Sequence, residues 1–333
     1  MKIAIITDAS PPQINGVVTT LSNLVYELKV QGHEVTTIAP PKFLSLPLPS
    51  YPEIHIPVNP FLIFRFLHDS KPDAVHIATE GVLGFFGFLY CYFTNTKYNT
   101  SYHTDWEQTL TMFKIPVLGY LLKRYIKMIH SRAQQTLVTN ESMRNILTQR
   151  GFKHLMVWSR GVDRRFFSSM QRETMYFETP VILTVSRISK EKNLEAFFNL
   201  KTPGTKICVG DGPLLSQYRK QYPEVHFMGT QQGKALAKWF ASADVFVFTS
   251  KTDTFGNVML ESMACGTPIA AYPVTGPNEI VINGVNGYCD EDLDKAVEKA
   301  LLIDRKAVEN SSYKWSWHNT ADIFLTALKS VLK

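Results

Sequence analysis

Apolar and polar positions along this chain alternate between two periods. Lys2–Thr7 is a continuous apolar run of strand length, and Val17–Gln31 carries its apolar residues at helical spacing before a stop at Gly32. Glu34–Ala39, Ala74–Ile77 and Thr136–Thr139 read as further strands, with another ending at Thr100–Tyr102. Asn140 is placed to cap a helix over Glu141–Arg150 that closes at Gly151. The rhythm restarts after residue 180. Strands are predicted at Val181–Val185, Lys206–Val209, Val225–Phe227, Val245–Phe248 and, as the last, Pro268–Ala271. Helices are predicted between them at Asn193–Leu200, Gly212–Gln221, Lys234–Ser242 and Val258–Ala264, and the chain reads as helical after Asp290. Unbroken apolar strands separated by helices predict parallel sheets covered on both faces. Two such runs predict an α/β chain of two doubly wound domains.

The boundary falls within Gly161–Thr179, where charge is mixed and no period is visible. The domains expected are residues 1–165 and 175–311, with 312–333 as a closing helix. Trp315 and Trp317, followed by the helical pattern Asp322–Leu332, need burial, so this helix is expected to pack back on the first domain.

Composition narrows the class without choosing a partner. A chain of 333 residues with 45% hydrophobic and 19% charged residues suits two folded domains. A net charge of +6 favours an anionic partner: nucleotide, nucleic acid or acidic membrane surface. Cys91, Cys208, Cys265 and Cys289 are scattered without metal-ligand spacing and read as reduced thiols of a cytoplasmic protein. The first residues read as a strand, not a signal peptide, and the apolar stretch Val82–Phe93 is shorter than the roughly twenty residues a membrane span needs. Asp290-Glu291-Asp292 imitates a metal-binding pattern, but it directly precedes the helix Leu293–Leu302 and reads as an acidic N-terminus. No metal or cofactor is expected.

The richest chemistry lies between Thr249 and Pro268. A buried strand, an acid at Asp253, the turn Phe255-Gly256-Asn257 and a second acid at Glu261 inside a helix follow one another. A strand, glycine turn and helix start aim backbone N–H groups above the sheet, where phosphate binds. The flanking carboxylates suit sugar hydroxyls, so the segment points to a nucleotide-sugar. Arg187 and Lys192 follow the first strand of the second domain, at the carboxyl edge where ligands bind in open α/β sheets. Fixed cations there would stabilise charge on a departing diphosphate; solvated loop charges are the other reading, and the one kept for Lys190. Glu261 could instead serve the helix dipole. Val209-Gly210-Asp211-Gly212-Pro213 could be a plain turn, and His103 a core histidine satisfied by its neighbours.

Six segments in order resemble retaining glycosyltransferases of family 4, with the GT-B fold. They are Pro11–Gly16, Tyr102-His103-Thr104-Asp105, Ser159-Arg160-Gly161-Val162-Asp163, Ser186-Arg187 with Lys190–Asn193, Val209–Pro213 and Asp253–Glu261. The family includes sucrose-phosphate synthases and lipid mannosyl and glucosyl transferases. The resemblance implies two Rossmann-like domains with a cleft between them and a C-terminal helix returning to the first. It implies transfer of a hexose from a UDP- or GDP-linked donor to an acceptor hydroxyl, with retention and without metal, the leaving phosphate helping to deprotonate the acceptor.

By the same resemblance Arg187 and Lys192 clamp the diphosphate. Asp253 holds sugar hydroxyls, Glu261 holds the ribose, and Phe255, Gly256, Asn257 and Val258 offer the turn that meets sugar and phosphate. Gly210 and Asp211 lie near the base. Gly16, in a loop after the first strand, approaches the diphosphate or sugar. His103 touches the sugar or diphosphate without acting as base, and Asp105 orients His103 or lines the acceptor site. The family pattern has two glutamates with this spacing; here the first is Asp253, one methylene shorter, which bears on the donor sugar.

On the acceptor side, a helix from Val117 would place Leu118, Leu121, Leu122, Tyr125 and Met128/Ile129 on one face, with Lys123, Lys127 and His130 elsewhere. A basic amphipathic helix suits an anionic membrane surface, and Phe61–Leu67 is a second candidate for lipid contact; a core helix with solvated cations is the other reading. A membrane lipid is the expected acceptor and a soluble or polysaccharide acceptor the alternative, with the protein peripheral on the inner face of the cytoplasmic membrane. A non-catalytic nucleotide-sugar-binding protein is disfavoured because Arg187, Lys192 and Glu261 are all present. Nucleic acid is not expected, since basic and aromatic residues interleave only across Leu118–Arg132.

Overall fold

The computed structural model describes residues 1–13, 15–48, 51–103, 116–253 and 255–332. Asp105 and the segment Phe113–Ile115 lie outside the described residues. Contacts divide the chain into two compact units, Met1–Arg160 with Trp317–Lys333, and Gly161–Ser316.

In the first unit, β1 (Lys2–Ile6) is paired on one side with β2 (Glu34–Ile38). A two-stranded hairpin of β3 (Ser45–Leu48) and β4 (Tyr51–Pro57) follows. The main sheet then continues on the other side of β1 with β5 (Ala74–Ile77), β6 (Tyr98–Tyr102), β7 (Thr136–Val138) and β8 (Leu155–Val157). All these sheet pairings are parallel, and the direction of strand addition reverses between β1 and β5. Such a reversal opens a crevice at the carboxyl ends of the strands.

The second unit contains β9 (Val181–Val185), β10 (Thr205–Val209), β11 (His226–Phe227), β12 (Val245–Phe248), β13 (Ile269–Ala271) and β14 (Gly287–Cys289). Their order in the parallel sheet, β11-β10-β9-β12-β13-β14, reverses between β9 and β12. This is the doubly wound dinucleotide-binding order. Each sheet has a hydrophobic cluster on both faces, which is why central strands such as β1 and β12 read as unbroken apolar runs rather than alternating ones.

Helix Gly16–Val30 starts at an Asn15 cap whose Oδ1 accepts from the amides of Val17 and Val18 (both 3.0 Å). Its buried Leu21, Leu24 and Leu28 share one core with Phe324, Ala327 and Leu328 of helix Trp317–Leu328. The closing helix thus returns to the first sheet. It begins five residues earlier than the apolar pattern predicts, because Trp317 is itself buried. It is tied down where the Trp158 indole N–H donates to Thr320 O (2.9 Å) and the Asn99 amide to Ala327 O (2.7 Å).

Several short elements escape the periodicity. Pro268–Ala271 is not the last strand: β14 follows it, paired to β13. Asn193–Leu200 shrinks to helix Glu195–Phe198, because Asn193 adopts a left-handed φ of 52° that ends the preceding turn. The hairpin β3–β4, β8, and helices Ile63–Ser70, Val82–Phe93 and Thr275–Ile280 are further elements not predicted. Val82–Phe93 buries Leu83, Phe88 and Cys91 in a core face, and among the described residues no helix is long and apolar enough to cross a membrane. All four thiols are free, and burial pushes those of Cys91, Cys208 and Cys265 up to about 12. Asp292 caps helix Leu293–Ala300, as expected of an acidic N-terminus.

Candidate active site

The reversal between β9 and β12 brings two loops over the carboxyl edge of the second sheet. One carries Ser186 to Asn193 and the other Thr249 to Asp253. They are stitched together where the Thr249 hydroxyl donates to Lys192 O (2.6 Å) and the Asn193 amide to Thr249 O (3.3 Å). Across this seam Lys192 Nζ donates to both carboxylate oxygens of Asp253, at 2.7 and 2.9 Å. The family resemblance assigns these two residues, 61 positions apart, to different parts of the donor; the fold pairs them. Arg187 is half-buried in the same loop, while Lys190 is exposed.

After Asp253 the chain turns at Gly256, whose φ of 90° favours glycine. A Cβ there would lie 2.8 Å from Met259 Cε and 3.0 Å from the Phe248 ring. Phe255 anchors the turn: its ring is buried and lies edge-on to Trp315 at 5.7 Å. Gly256 caps helix Asn257–Ala264, placing Asn257 and Val258 at its first two positions. Glu261 comes after the first turn, out of reach of the amides that the dipole reading requires. Its Oε2 is shut off from solvent with no hydrogen-bond partner among the described residues, and burial pushes its pKa up to about 7. A secluded carboxylate without a donor suits the hydroxyls of an incoming ligand.

The glycine loop after β10 has a packing duty. Gly210 has φ of 144°, and a Cβ on it would come within 1.9 Å of Ser186 O. Ile188 N donates to Asp211 O (2.9 Å), so this loop presses directly on the one that carries Arg187. The Asp211 side chain is exposed and accepts from Gly212 N (2.6 Å).

In the first unit Gly16 is the first residue of its helix rather than part of a loop. His103 follows β6, partly buried, with its ring 6.1 Å from that of Trp158. Its Nδ1 accepts from Arg160 Nη2 at 3.1 Å. Burial pushes the imidazole well below its ordinary pKa, and Arg160, His76 and His130 add to this. Burial thus favours the neutral ring.

A second polar group sits at the β1/β5 reversal, unmarked by sequence reasoning although Asp8 directly follows the first strand. Asp8 accepts from Leu83 N (2.7 Å) and the Thr79 hydroxyl (2.9 Å), capping helix Val82–Phe93. Burial nevertheless raises its pKa. His130, expected among solvated cations, is instead 2% exposed, with Nε2 2.9 Å from Glu80 Oε1 and Nδ1 2.8 Å from the Thr100 hydroxyl. The helix Pro116–Arg132 that carries it buries Ile126 and Ile129 and exposes Leu121, Lys123, Arg124, Lys127 and Arg132. The inward face is thus rotated from the predicted one, which had included Leu121.

Two family models match consecutive parts of the chain: "Glycosyltransferase Family 4" over residues 14–166 and "Glycosyl transferases group 1" over 179–303. A GDP-mannose-dependent alpha-mannosyltransferase of Mycobacterium tuberculosis is 27% identical over 307 residues, covering 84% of this chain and 81% of the relative. An alpha-monoglucosyldiacylglycerol synthase of Streptococcus pneumoniae is 25% identical over 350 residues, covering 91% and 78%. Among solved structures, the sucrose-phosphate synthase of Thermosynechococcus elongatus superposes with a TM-score of 0.81 at 18% identity, covering 98% of both chains, a likeness of fold.

Proposed function

The chain belongs to glycosyltransferase family 4 and has its GT-B fold, and on that premise we propose that it moves a hexose from a UDP- or GDP-linked donor to a lipid hydroxyl with retention of configuration. The observation that carries the reading is the Lys192–Asp253 pair at the sheet reversal, bounded by the Gly256 turn and the secluded Glu261 carboxylate. Before donor arrives, the carboxylate neutralises the cation. A diphosphate entering beside Arg187 offers Lys192 a second anion, and negative charge that grows on this group during departure strengthens the contact. Asp253, released from Lys192, accepts hydroxyls of the sugar, and Glu261 accepts those of the ribose.

His103 supports a route in which the leaving phosphate takes the acceptor proton. A neutral imidazole whose Nδ1 lone pair is engaged by Arg160 is a poor base. We read His103 as a donor to the sugar or diphosphate, and Gly16 as a backbone approach to the same ligand. No step requires a metal ion.

For the acceptor, two exposed surfaces of the first unit support a membrane lipid. Leu46 and Ile56 face each other across the β3–β4 ribbon and are exposed, as are Leu44, Val58 and Phe61. Lys123, Arg124, Lys127 and Arg132 supply exposed cations. Apolar surface with cations suits an anionic leaflet, and we read the protein as a peripheral enzyme on its cytoplasmic side. The test supplies UDP- and GDP-hexoses with diacylglycerol vesicles and follows nucleoside diphosphate release and the anomer of the product by NMR. An α-linked glycolipid formed in the presence of EDTA is expected. A β-linked product would overturn retention, and transfer to soluble sugars alone would overturn the lipid acceptor.

A further inference from the structure

Arg160 is 3% exposed, yet none of its partners among the described residues is a carboxylate. Nη1 donates to Trp158 O (2.7 Å) and Ser159 O (3.2 Å), the guanidinium lies 4.4 Å from the centre of the Trp158 ring, and Nη2 donates to His103 Nδ1 (3.1 Å). Burying a cation without a counter-ion is costly, which directs attention to what this one does. We propose that Arg160 is a positioning residue that locks His103 in the tautomer with its proton on Nε2, making it a permanent hydrogen-bond donor.

The reason is the donor inventory. A guanidinium carries only N–H groups and accepts nothing, so the nitrogen facing it must present a lone pair. With Nδ1 bare, the neutral ring keeps its proton on Nε2. Either alternative, the Nδ1–H tautomer or the imidazolium, would aim one N–H at another. Trp158 keeps the geometry rigid, since its indole is held by Thr320 O of the closing helix while Arg160 lies over its ring and His103 meets it edge-on. The titratable groups around His103 among the described residues are Arg160, His76 from β5 and His130 from helix Pro116–Arg132, and each opposes a positive charge on the ring. Glu80 is engaged by His130.

This inference rests on the reading that His103 meets the donor; the tautomer itself is independent of it. The test is NMR of the full chain with 15N-labelled histidine, His103 being assigned by its loss in His103→Gln. The expected wild-type spectrum has a pyridine-type Nδ1 and a pyrrole-type Nε2, unchanged from about pH 8 to about pH 5. In Arg160→Met, the Nδ1–H tautomer of His103 should appear, and kcat/KM for donor should fall roughly ten- to hundred-fold. Arg160→Lys, which still offers N–H to Nδ1, should restore the tautomer and part of the rate. A wild-type Nδ1–H, a wild-type His103 that titrates in this window, or an Arg160→Met protein with unchanged tautomer would overturn the proposal. Should Arg160→Met fail to fold, the wild-type and Arg160→Lys spectra still decide. Full turnover in His103→Gln would remove the donor contact while leaving the tautomer assignment standing.

Discussion

Lys192 Nζ lies 2.7 and 2.9 Å from the two carboxylate oxygens of Asp253, so the proposed diphosphate cation and the proposed sugar ligand neutralise each other across the β9/β12 reversal. Both side chains remain about a quarter exposed, at 21% and 26%. A partly solvated pair of this kind contributes at most about 1 kcal/mol to folding. Lys192→Ala should therefore leave the melting temperature nearly unchanged while lowering turnover about 100- to 1000-fold, the cost of one preorganised electrostatic contact. Melting curves and donor turnover, measured together, check both halves. Unimpaired transfer would refute the clamp.

Asp253→Glu keeps the charge and adds one methylene. Nucleoside diphosphate affinity should hardly change, whereas the ratio of kcat/KM between two hexose donors should move about ten-fold. Competition between UDP- or GDP-linked hexoses reads this directly. A lost nucleotide affinity with unaltered sugar choice would place Asp253 elsewhere.

Gly210→Ala puts a Cβ within 1.9 Å of Ser186 O at a φ of 144°. Backbone clash and unfavourable φ together should cost about 2–4 kcal/mol. Because the displaced loop carries Arg187, donor binding should weaken as well. Chemical denaturation and nucleotide titration would show both effects, and wild-type stability would contradict the packing role.

Glu261 has its pKa raised from 4.5 to about 7. As pH rises through this interval the unfolded chain ionises first, so stability is highest below pH 4.5 as far as this group is concerned and declines until about pH 7. Glu261→Gln should accordingly raise the melting temperature at pH 8 relative to wild type while weakening nucleotide binding. Ribose hydroxyls favour the ionised form, so donor binding near neutrality should release roughly half a proton. Calorimetry in buffers of different ionisation enthalpy measures it, and zero release would argue against a ribose contact.

Vesicle binding should be salt-sensitive and depend on the exposed cations of helix Pro116–Arg132. Replacing Lys123 and Lys127 by Gln should weaken binding to anionic vesicles about 30-fold, at about 1 kcal/mol per cation. Leu46→Ser with Ile56→Ser should remove the part that survives high salt. Sedimentation at two ionic strengths separates the terms, and unchanged binding of both variants would exclude this surface.

Local chemistry made much of the chain legible. Lys2–Ile6 and Val245–Phe248 are apolar because both sheet faces are covered, and a one-dimensional pattern records that directly. Asn140 and Gly256 announce a cap and a turn through side chain and φ alone. β14, only three residues long, is too short to establish a period, and the helix at Glu195–Phe198 is too short for its ends to be read from one.

Residue order and local pattern were enough for two doubly wound halves, the order of the site segments and the acids, cations and glycines they carry. Tertiary structure alone decided which of these groups meet. It joined Lys192 to Asp253, pressed Gly210 against Ser186, withdrew His130 from the solvated face to Glu80, and set Arg160 against His103. Such pairings depend on which strand ends converge at a sheet reversal, and on what burial does to a charge once it is there. Neither is a property of neighbouring residues, so no local pattern carries them.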